Sequence, residues 1–382
     1  MFNLSELENI DLAGRSVVVR LGANVPVKDG EVLDAYRLEQ SKPTLTYLLQ
    51  YASRVIIISH IDNVEGSSLK PVADYLSDLA DTAFVEEWEP ENVRQLVEAK
   101  SEQLIVLENL RRHQGEKAND PEFAKQLSGL GEVYVNEAFA VAHRRHASIV
   151  GIPQHLLSAP GFLFRQEISE LARALDPKHP FLFILGGAKF DTKIPLVEKF
   201  TESADTVFIG GALANAFFKH RGMEVGRSLV DDTEAITDKL EELEGKNNLL
   251  IPSDVIAYNP ESGESRTASL EEVTAKEQIM DIGPESCRRL VQLIDPSALV
   301  VWNGPLGNYL EGFSQATEET AQKLAEASGD SVLGGGDTVA AVGKLELSDH
   351  FTFISTGGGA MLDFLTHETL PGIEAMEKSK SE

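Results

Sequence analysis

Phe181-Leu182-Phe183-Ile184-Leu185-Gly186-Gly187-Ala188-Lys189 joins an apolar run directly to a glycine pair and a lysine. An apolar run without polar alternation describes a strand covered on both faces, the condition of a parallel sheet flanked by helices. Glycine lets backbone amides approach an anion closely, and a helix that begins directly afterwards adds its partial positive charge. Working outward, strand-like runs at 16–21, 54–59, 104–107 and 132–136 precede this stretch, and runs at 206–209, 248–251, 299–302, 331–333 and 352–354 follow it. Helical periodicity at 38–51, 69–79 and 121–130 lies between the early strands. This alternation is βαβ rhythm, and it predicts an α/β chain with two Rossmann-like domains, each a parallel sheet flanked by helices. An amphipathic stretch at 166–175, closed by Asp176-Pro177-Lys178-His179-Pro180, is expected to be the helix at the junction between them, and it and the 355–359 turn are the two candidate hinges.

Composition narrows the function classes. The chain has 382 residues, 42% of them hydrophobic, more than one core usually organises. Lys and Arg number 34 against 61 Asp and Glu, a formal charge of -27, so neither nucleic acid nor an anionic membrane is an expected partner. Any polyanionic ligand must then be held by a local basic cluster. Cys287 is the single cysteine, which excludes a disulfide framework and a cysteine-built metal site and fits a reducing compartment, so a cytoplasmic location is expected. The start, Met1-Phe2-Asn3-Leu4-Ser5-Glu6-Leu7-Glu8, has no apolar h-region, and no run approaches the ~18 residues of a membrane span.

Chemistry concentrates just after the strands, where ligands sit in open α/β sheets. Four glycine tracts occupy such positions in the second half: 186–189, Gly210-Gly211-Ala212, Gly334-Gly335-Gly336-Asp337-Thr338 and Ser355-Thr356-Gly357-Gly358-Gly359. One tract alone reads as a tight turn. Four together, with Lys189, Lys193 and Asp337 among them, read as a nucleotide phosphate site. Familiar phosphate signatures fail: Gly222-Met223-Glu224-Val225-Gly226-Arg227-Ser228 has the wrong spacing and no lysine for a P-loop, and 334–339 lacks the last glycine of the dinucleotide fingerprint. In the first half Arg20, Arg37, Arg111, Arg112, Arg144, Arg145 and His60 all fall at strand or helix ends. Each arginine alone answers a surface acid; the set predicts an anion pocket, because guanidinium groups bind carboxylate and phosphate through paired hydrogen bonds. His143 and His146 have no third ligand in sequence and read as scaffold.

These segments, in this order, resemble the phosphoglycerate kinases. The matching blocks are Val17-Val18-Val19-Arg20 with Asn24-Val25-Pro26, Arg37 with Pro43-Thr44, Ser59-His60, Ser68-Leu69-Lys70-Pro71-Val72, Leu107-Glu108-Asn109-Leu110-Arg111, Val135-Asn136-Glu137-Ala138-Phe139 with His143-Arg144, Gly186-Gly187-Ala188-Lys189, Asp281-Ile282-Gly283-Pro284, Trp302-Asn303-Gly304-Pro305 and the last two glycine tracts. The resemblance implies reversible phosphoryl transfer between ATP and 3-phosphoglycerate with Mg2+, by a monomer that closes about its hinge. It implies a 3-phosphoglycerate-binding domain at 1–165, a hinge helix and nucleotide-binding domain at 166–365, and a segment 366–382 that packs back on the first.

Residue by residue, it implies substrate binding by Asn24, Arg37, His60, Arg111 and Arg144, with Arg20 in support. On the nucleotide side it implies Lys193, Gly187, Gly211, Gly335, Gly336 and Thr338 at the phosphates, Asn303 and Pro305 along the nucleotide, and Asp337 as the magnesium ligand. Arg37, Lys189, Gly358 and Gly359 would steady the phosphoryl group in flight. Four positions depart from the family pattern. Gly22, followed by Ala23, stands where the family has the aspartate that contacts the substrate hydroxyl. Asn63 replaces a pocket arginine, and Glu137 replaces an aspartate. Leu310 takes the place of the ribose-binding glutamate, with Glu311 one residue later. Two other readings stand beside the kinase: a catalytically impaired nucleotide-binding relative with a regulatory or interaction role, and a kinase for another small phosphorylated carboxylate.

Overall fold

The computed structural model describes residues 2–62, 67–188, 190–230 and 234–379. It divides into two units, Met1–Ser169 with Thr369–Glu382, and Glu170–Glu368. The first unit is built on a six-stranded, all-parallel sheet with spatial order Thr82–Val85, Leu104–Leu107, Arg54–Ile58, Ser16–Leu21, Val133–Glu137, Leu157–Pro160. Its strands are apolar in their middles because both faces are covered, with polar residues such as Arg20, Asn136 and Glu137 at the carboxyl ends, and alternate residues feed different cores. Val17, Val19, Val55, Ile57, Leu104 and Val135 face one core with Leu38, Leu45 and Leu48 of helix Tyr36–Tyr51. Val18, Ile56, Ile58, Ile105 and Tyr134 face the other, with Phe123 and Leu127 of helix Pro121–Ser128. Residues 369–379 complete this unit: the Gly372 amide donates to the Ala142 carbonyl at 2.9 Å, and Ile373 and Met376 are buried.

The second unit carries another all-parallel six-stranded sheet, in the order Leu249–Leu250, Thr206–Ile209, Phe181–Leu185, Leu299–Asn303, Asp330–Gly334, Phe353–Ile354. By chain order this is 3-2-1-4-5-6, the doubly wound arrangement, with its switch point between Phe181–Leu185 and Leu299–Asn303. Phe183 and Phe200 stack at 4.1 Å on one face of this sheet, and Phe181 meets Phe200 edge-on at 5.8 Å.

Two edge strands, Thr82–Val85 and Leu157–Pro160, and a separate antiparallel sheet of Asp254–Asn259, Glu264–Ser269 and Gln278–Ile282 were not anticipated from the sequence. The edge strands are four residues each. The Glu264–Ser269 strand is largely exposed and polar, so it lacks the apolar run by which buried strands are read. The helix expected at 166–175 instead runs Phe162–Ala172. Its start is fixed by Glu137, whose carboxylate accepts from the Leu163 and Phe164 amides at 3.2 Å each, and by Thr44 Oγ1, which accepts from the Phe162 amide at 2.8 Å. A cap supplied from elsewhere in the chain leaves no local sequence signal. Truncating the stacked pair by Phe183→Ala is expected to remove about 3–5 kcal/mol from the second unit, measured as a lowered denaturation midpoint at unchanged secondary structure.

Candidate functional site

In the first unit the strand order reverses between Ser16–Leu21 and Val133–Glu137, where Arg20 sits opposite Asn136 and Leu21 opposite Glu137. The crevice beyond these strand ends is where the anion pocket is expected. Arg20 is completely buried. Its Nε donates to Ser148 Oγ at 2.8 Å, Nη1 donates to the Leu21 carbonyl at 2.9 Å, and Nη2 donates to His60 Nδ1 at 2.9 Å. Glu116, equally buried, lies 3.9 Å from the guanidinium and takes Ser148 as a bidentate donor through its amide and hydroxyl. Arg20 is therefore neutralised from behind and has no surface to offer a ligand; it positions His60.

That contact also fixes the state of His60. A guanidinium only donates, so Nδ1 must accept and the ring proton resides on Nε2. Burial, then the charges of Arg20, Arg111 and Arg144, hold the imidazole far below its usual range, so it stays neutral and acts as a donor.

Arg111 is the least satisfied group in the pocket. Its side chain is 5% exposed and its Nη1 pairs with Asp62, yet Nε and Nη2 are buried without a partner among the described residues. Burial, then Arg144 and Arg20, lower its pKa to about 10. Two buried guanidinium groups, Arg20 and Arg111, and the exposed Arg144 repel one another here, a cost that an incoming dianion would relieve. Arg37 enters from the first turn of helix Tyr36–Tyr51 and donates from Nη1 to the Asn24 carbonyl at 3.0 Å. Asn24 Oδ1 in turn accepts from the Asp62 amide at 3.1 Å. Arg144 is exposed, its Nε donating to His143 Nε2 at 3.3 Å.

Gly22 and Ala23 follow the Arg20 strand. A methyl group added at Gly22 would meet its nearest neighbour, the Glu137 carbonyl, at 3.4 Å, an ordinary contact. Packing therefore does not demand glycine there. The Ala23 amide donates to Ser59 Oγ at 3.2 Å, and Ser59 donates to the Leu21 carbonyl at 2.6 Å. Asn63 lies outside the described residues.

In the second unit a cavity of about 590 Å³ opens at the switch point, lined by Gly187, Gly211, Pro305, Asn308, Tyr309, Leu310, Glu311 and Asp337 among others. Its floor is a close backbone crossing. The Gly186 amide donates to the Asn303 carbonyl at 2.9 Å, Gly187 to Pro305 at 2.8 Å, and Gly211 to Leu306 at 2.9 Å. A methyl at Gly186 would come within 2.2 Å of the Pro305 carbonyl. One at Gly211, whose φ is +61°, would come within 2.4 Å of the Gly187 amide. Lys193 is buried beside this crossing, its Nζ donating to the Gly186 carbonyl. Asn303 is buried, its side chain against Met361 Sδ at 3.5 Å.

Helix Gly336–Lys344 begins immediately after Gly335, which has φ +95°, and carries Asp337 exposed in its first turn. Thr338 is buried, and its Oγ1 has no partner among the described residues. Gly358, with φ +53°, precedes helix Gly359–His367, while Lys189 lies outside the described residues. Leu310 is 82% exposed at the cavity wall, and Glu311 beside it is exposed as well. Asp281 braces the same wall from beneath, accepting from the Ala316 amide at 3.1 Å; burial pushes its carboxyl up to about 7.

Three residues that contact the arginines of this pocket escaped the sequence reading. Glu116 and Ser148 support Arg20 from segments whose composition gives no sign of a buried charge. Asp62 was legible in principle, since it follows a strand end next to His60.

The family model for phosphoglycerate kinase matches residues 7–368. The chain is 39% identical to the phosphoglycerate kinase of Maricaulis maris over 98% of each chain, and 37% identical to that of Moorella thermoacetica over 97% of this chain and 98% of the other. Among solved structures, phosphoglycerate kinase from Coxiella burnetii superposes with a TM-score of 0.83 at 33% identity. That from Pyrococcus horikoshii superposes with 0.85 at 30%, each covering 98% of both chains.

Next to the crevice, burial pushes the Glu137 carboxyl up to about 7, against the lowering effect of hydrogen bonds from Thr44, Phe164 and Leu163. The folded state therefore holds this proton more tightly than the unfolded chain, and Glu137 costs stability as pH rises from about 4.5 to about 7. Glu137→Gln is expected to gain on the wild type across that window and to hold a constant difference above it, read from melting temperatures at pH 4.5, 6 and 7.5.

Proposed function

The chain belongs to the phosphoglycerate kinase family and is an ATP-dependent phosphotransferase, and on that premise we propose that it moves the γ-phosphoryl group of ATP reversibly to the carboxylate of 3-phosphoglycerate. The observation that supports the acceptor is Arg111, with two buried N–H groups lacking partners in a pocket already crowded with cations. Such a group calls for an anion with several oxygens, and a phosphorylated carboxylate supplies two charged ends. Arg37, Asn24, His60 through Nε2–H, and Arg144 complete the acceptor site, and Arg20 orients His60 from within.

The nucleotide belongs in the second cavity, its phosphates over the glycine crossing with Lys193 beneath. Helix Gly336–Lys344 presents its positive end there. Asp337 fits a magnesium ion: it is an exposed carboxylate in that first turn, next to the unpartnered Thr338 hydroxyl. No set of three acidic, His or Cys side chains forms a protein cage among the described residues. Mg2+ is commonly held by one or two carboxylates together with substrate phosphates. When bound it neutralises charge on the phosphates.

The acceptor carboxylate is already ionised, so no general base is needed. The protein's task is to align the attacking oxygen with the phosphorus and to neutralise spreading negative charge. By the family pattern that falls to Arg37, Lys189 and the amides of Gly358 and Gly359. We place the reaction in the cytoplasm, a reading that the single cysteine of the sequence supports, and assign it to a monomer on the family pattern alone.

The test couples the protein, with Mg-ATP and 3-phosphoglycerate, to a dehydrogenase that reduces 1,3-bisphosphoglycerate. Turnover is expected. Arg111→Ala should raise KM for 3-phosphoglycerate about 10- to 150-fold, the value of one charged hydrogen bond or two weaker ones, with KM for ATP unchanged. Absence of turnover with ATP still bound would favour the catalytically impaired reading. Gly22→Asp, whose added Cβ meets only ordinary contacts, should lower KM for 3-phosphoglycerate by restoring the hydroxyl contact of the family pattern.

A further inference from the structure

The anion pocket contains an acid of its own. Asp62 pairs through Oδ2 with Arg111 Nη1, while its backbone amide is held by Asn24 Oδ1 at 3.1 Å. Asn24 also carries Arg37 on its carbonyl. Asp62 is thus tied to Arg111 directly and to Arg37 by way of Asn24, the two guanidinium groups that an incoming anion would use. Its carboxylate remains 39% exposed, while Arg111 is 5% exposed. An acid placed for stability alone would need to satisfy its partner. This one leaves Nε and Nη2 of Arg111 buried and without a partner among the described residues.

We propose that Asp62 is a built-in counter-ion that holds Arg111 in place in the empty pocket and weakens its grip on the substrate's phosphate or carboxylate. The inference rests on the acceptor site proposed above. An anion reaching the free edge of Arg111 comes within a few ångströms of the Asp62 carboxylate, and like charges at that range repel strongly where water is scarce. The pocket therefore exchanges affinity for an arginine that is aligned before the ligand arrives, and for faster release. Asp62 acts through Arg111 and is a positioning residue.

Removing its charge should tighten binding, a direction that structural damage does not produce. Asp62→Asn is expected to lower the calorimetric Kd for 3-phosphoglycerate, and for inorganic phosphate as a minimal probe, by roughly tenfold after allowance for solvent screening at a part-exposed acid. KM for 3-phosphoglycerate should fall in parallel, KM for ATP should not move, and the gain should shrink at 0.5 M salt. Asp62→Glu should restore wild-type affinity. Asp62→Ser serves the same purpose should the asparagine variant melt early. Unchanged or weaker anion binding in a charge-removing variant that melts like the wild type overturns the inference. Tighter phosphate binding without any turnover in the wild type would leave this role of Asp62 standing while refuting the kinase reading.

Discussion

A buried guanidinium with unmet hydrogen-bond donors is the constraint around which the first unit is organised. Taking a charge out of water is costly unless it is paired, and the unit contains two solutions side by side. Arg20 is fully enclosed and fully answered, by Glu116, Ser148, His60 and the Leu21 carbonyl. Arg111 is answered on one edge only. The first serves as framework because nothing is left over; the second can serve as a binding group because something is. In a chain with a formal charge of -27, this local surplus of cationic donors without partners among the described residues sets the crevice apart from the acidic surface around it.

The second unit meets a different demand, close approach of backbone to backbone. Where strands Phe181–Leu185 and Leu299–Asn303 diverge, three loops cross within hydrogen-bonding distance, and a side chain at Gly186 or Gly211 would collide with main-chain atoms that cannot yield. Glycine at these sites is a packing requirement first. The crossing's own amides are taken up by the Asn303, Pro305 and Leu306 carbonyls, so the anion affinity of the cavity comes from the start of helix Gly336–Lys344 at its wall, while the missing side chains keep the space above the crossing open.

The sheets were legible because parallel strands covered on both faces carry near-continuous apolar runs, complete at 104–107 and 181–185 and broken at 16–21 by Ser16 and Arg20. The antiparallel sheet was hidden for the converse reason: Glu264–Ser269 is a solvated strand made of polar residues. Strand ends were where the sequence placed the candidate site, and the structure gathers Arg20, His60 and Arg111 beyond the strands of the first sheet. What could not be read was partnership. Nothing in the sequence says that Arg20 looks inward and Arg111 outward, since that depends on Glu116 and Ser148 arriving from distant segments. The start of helix Phe162–Ala172 was missed for the same cause, its cap coming from Glu137 and Thr44.

The order in which the chain is threaded has a consequence for its birth on the ribosome. Residues 369–379 supply buried side chains to the first unit, yet the roughly 200 residues of Glu170–Glu368 are translated between them and the rest of that unit. At about 5–20 residues per second, the nascent first sheet waits on the order of ten to forty seconds for Ile373 and Met376. Over that interval the surface around Ala142 and Ile149 lacks its final cover. The second unit can close first, so the earliest-made part of this protein is the last to be finished.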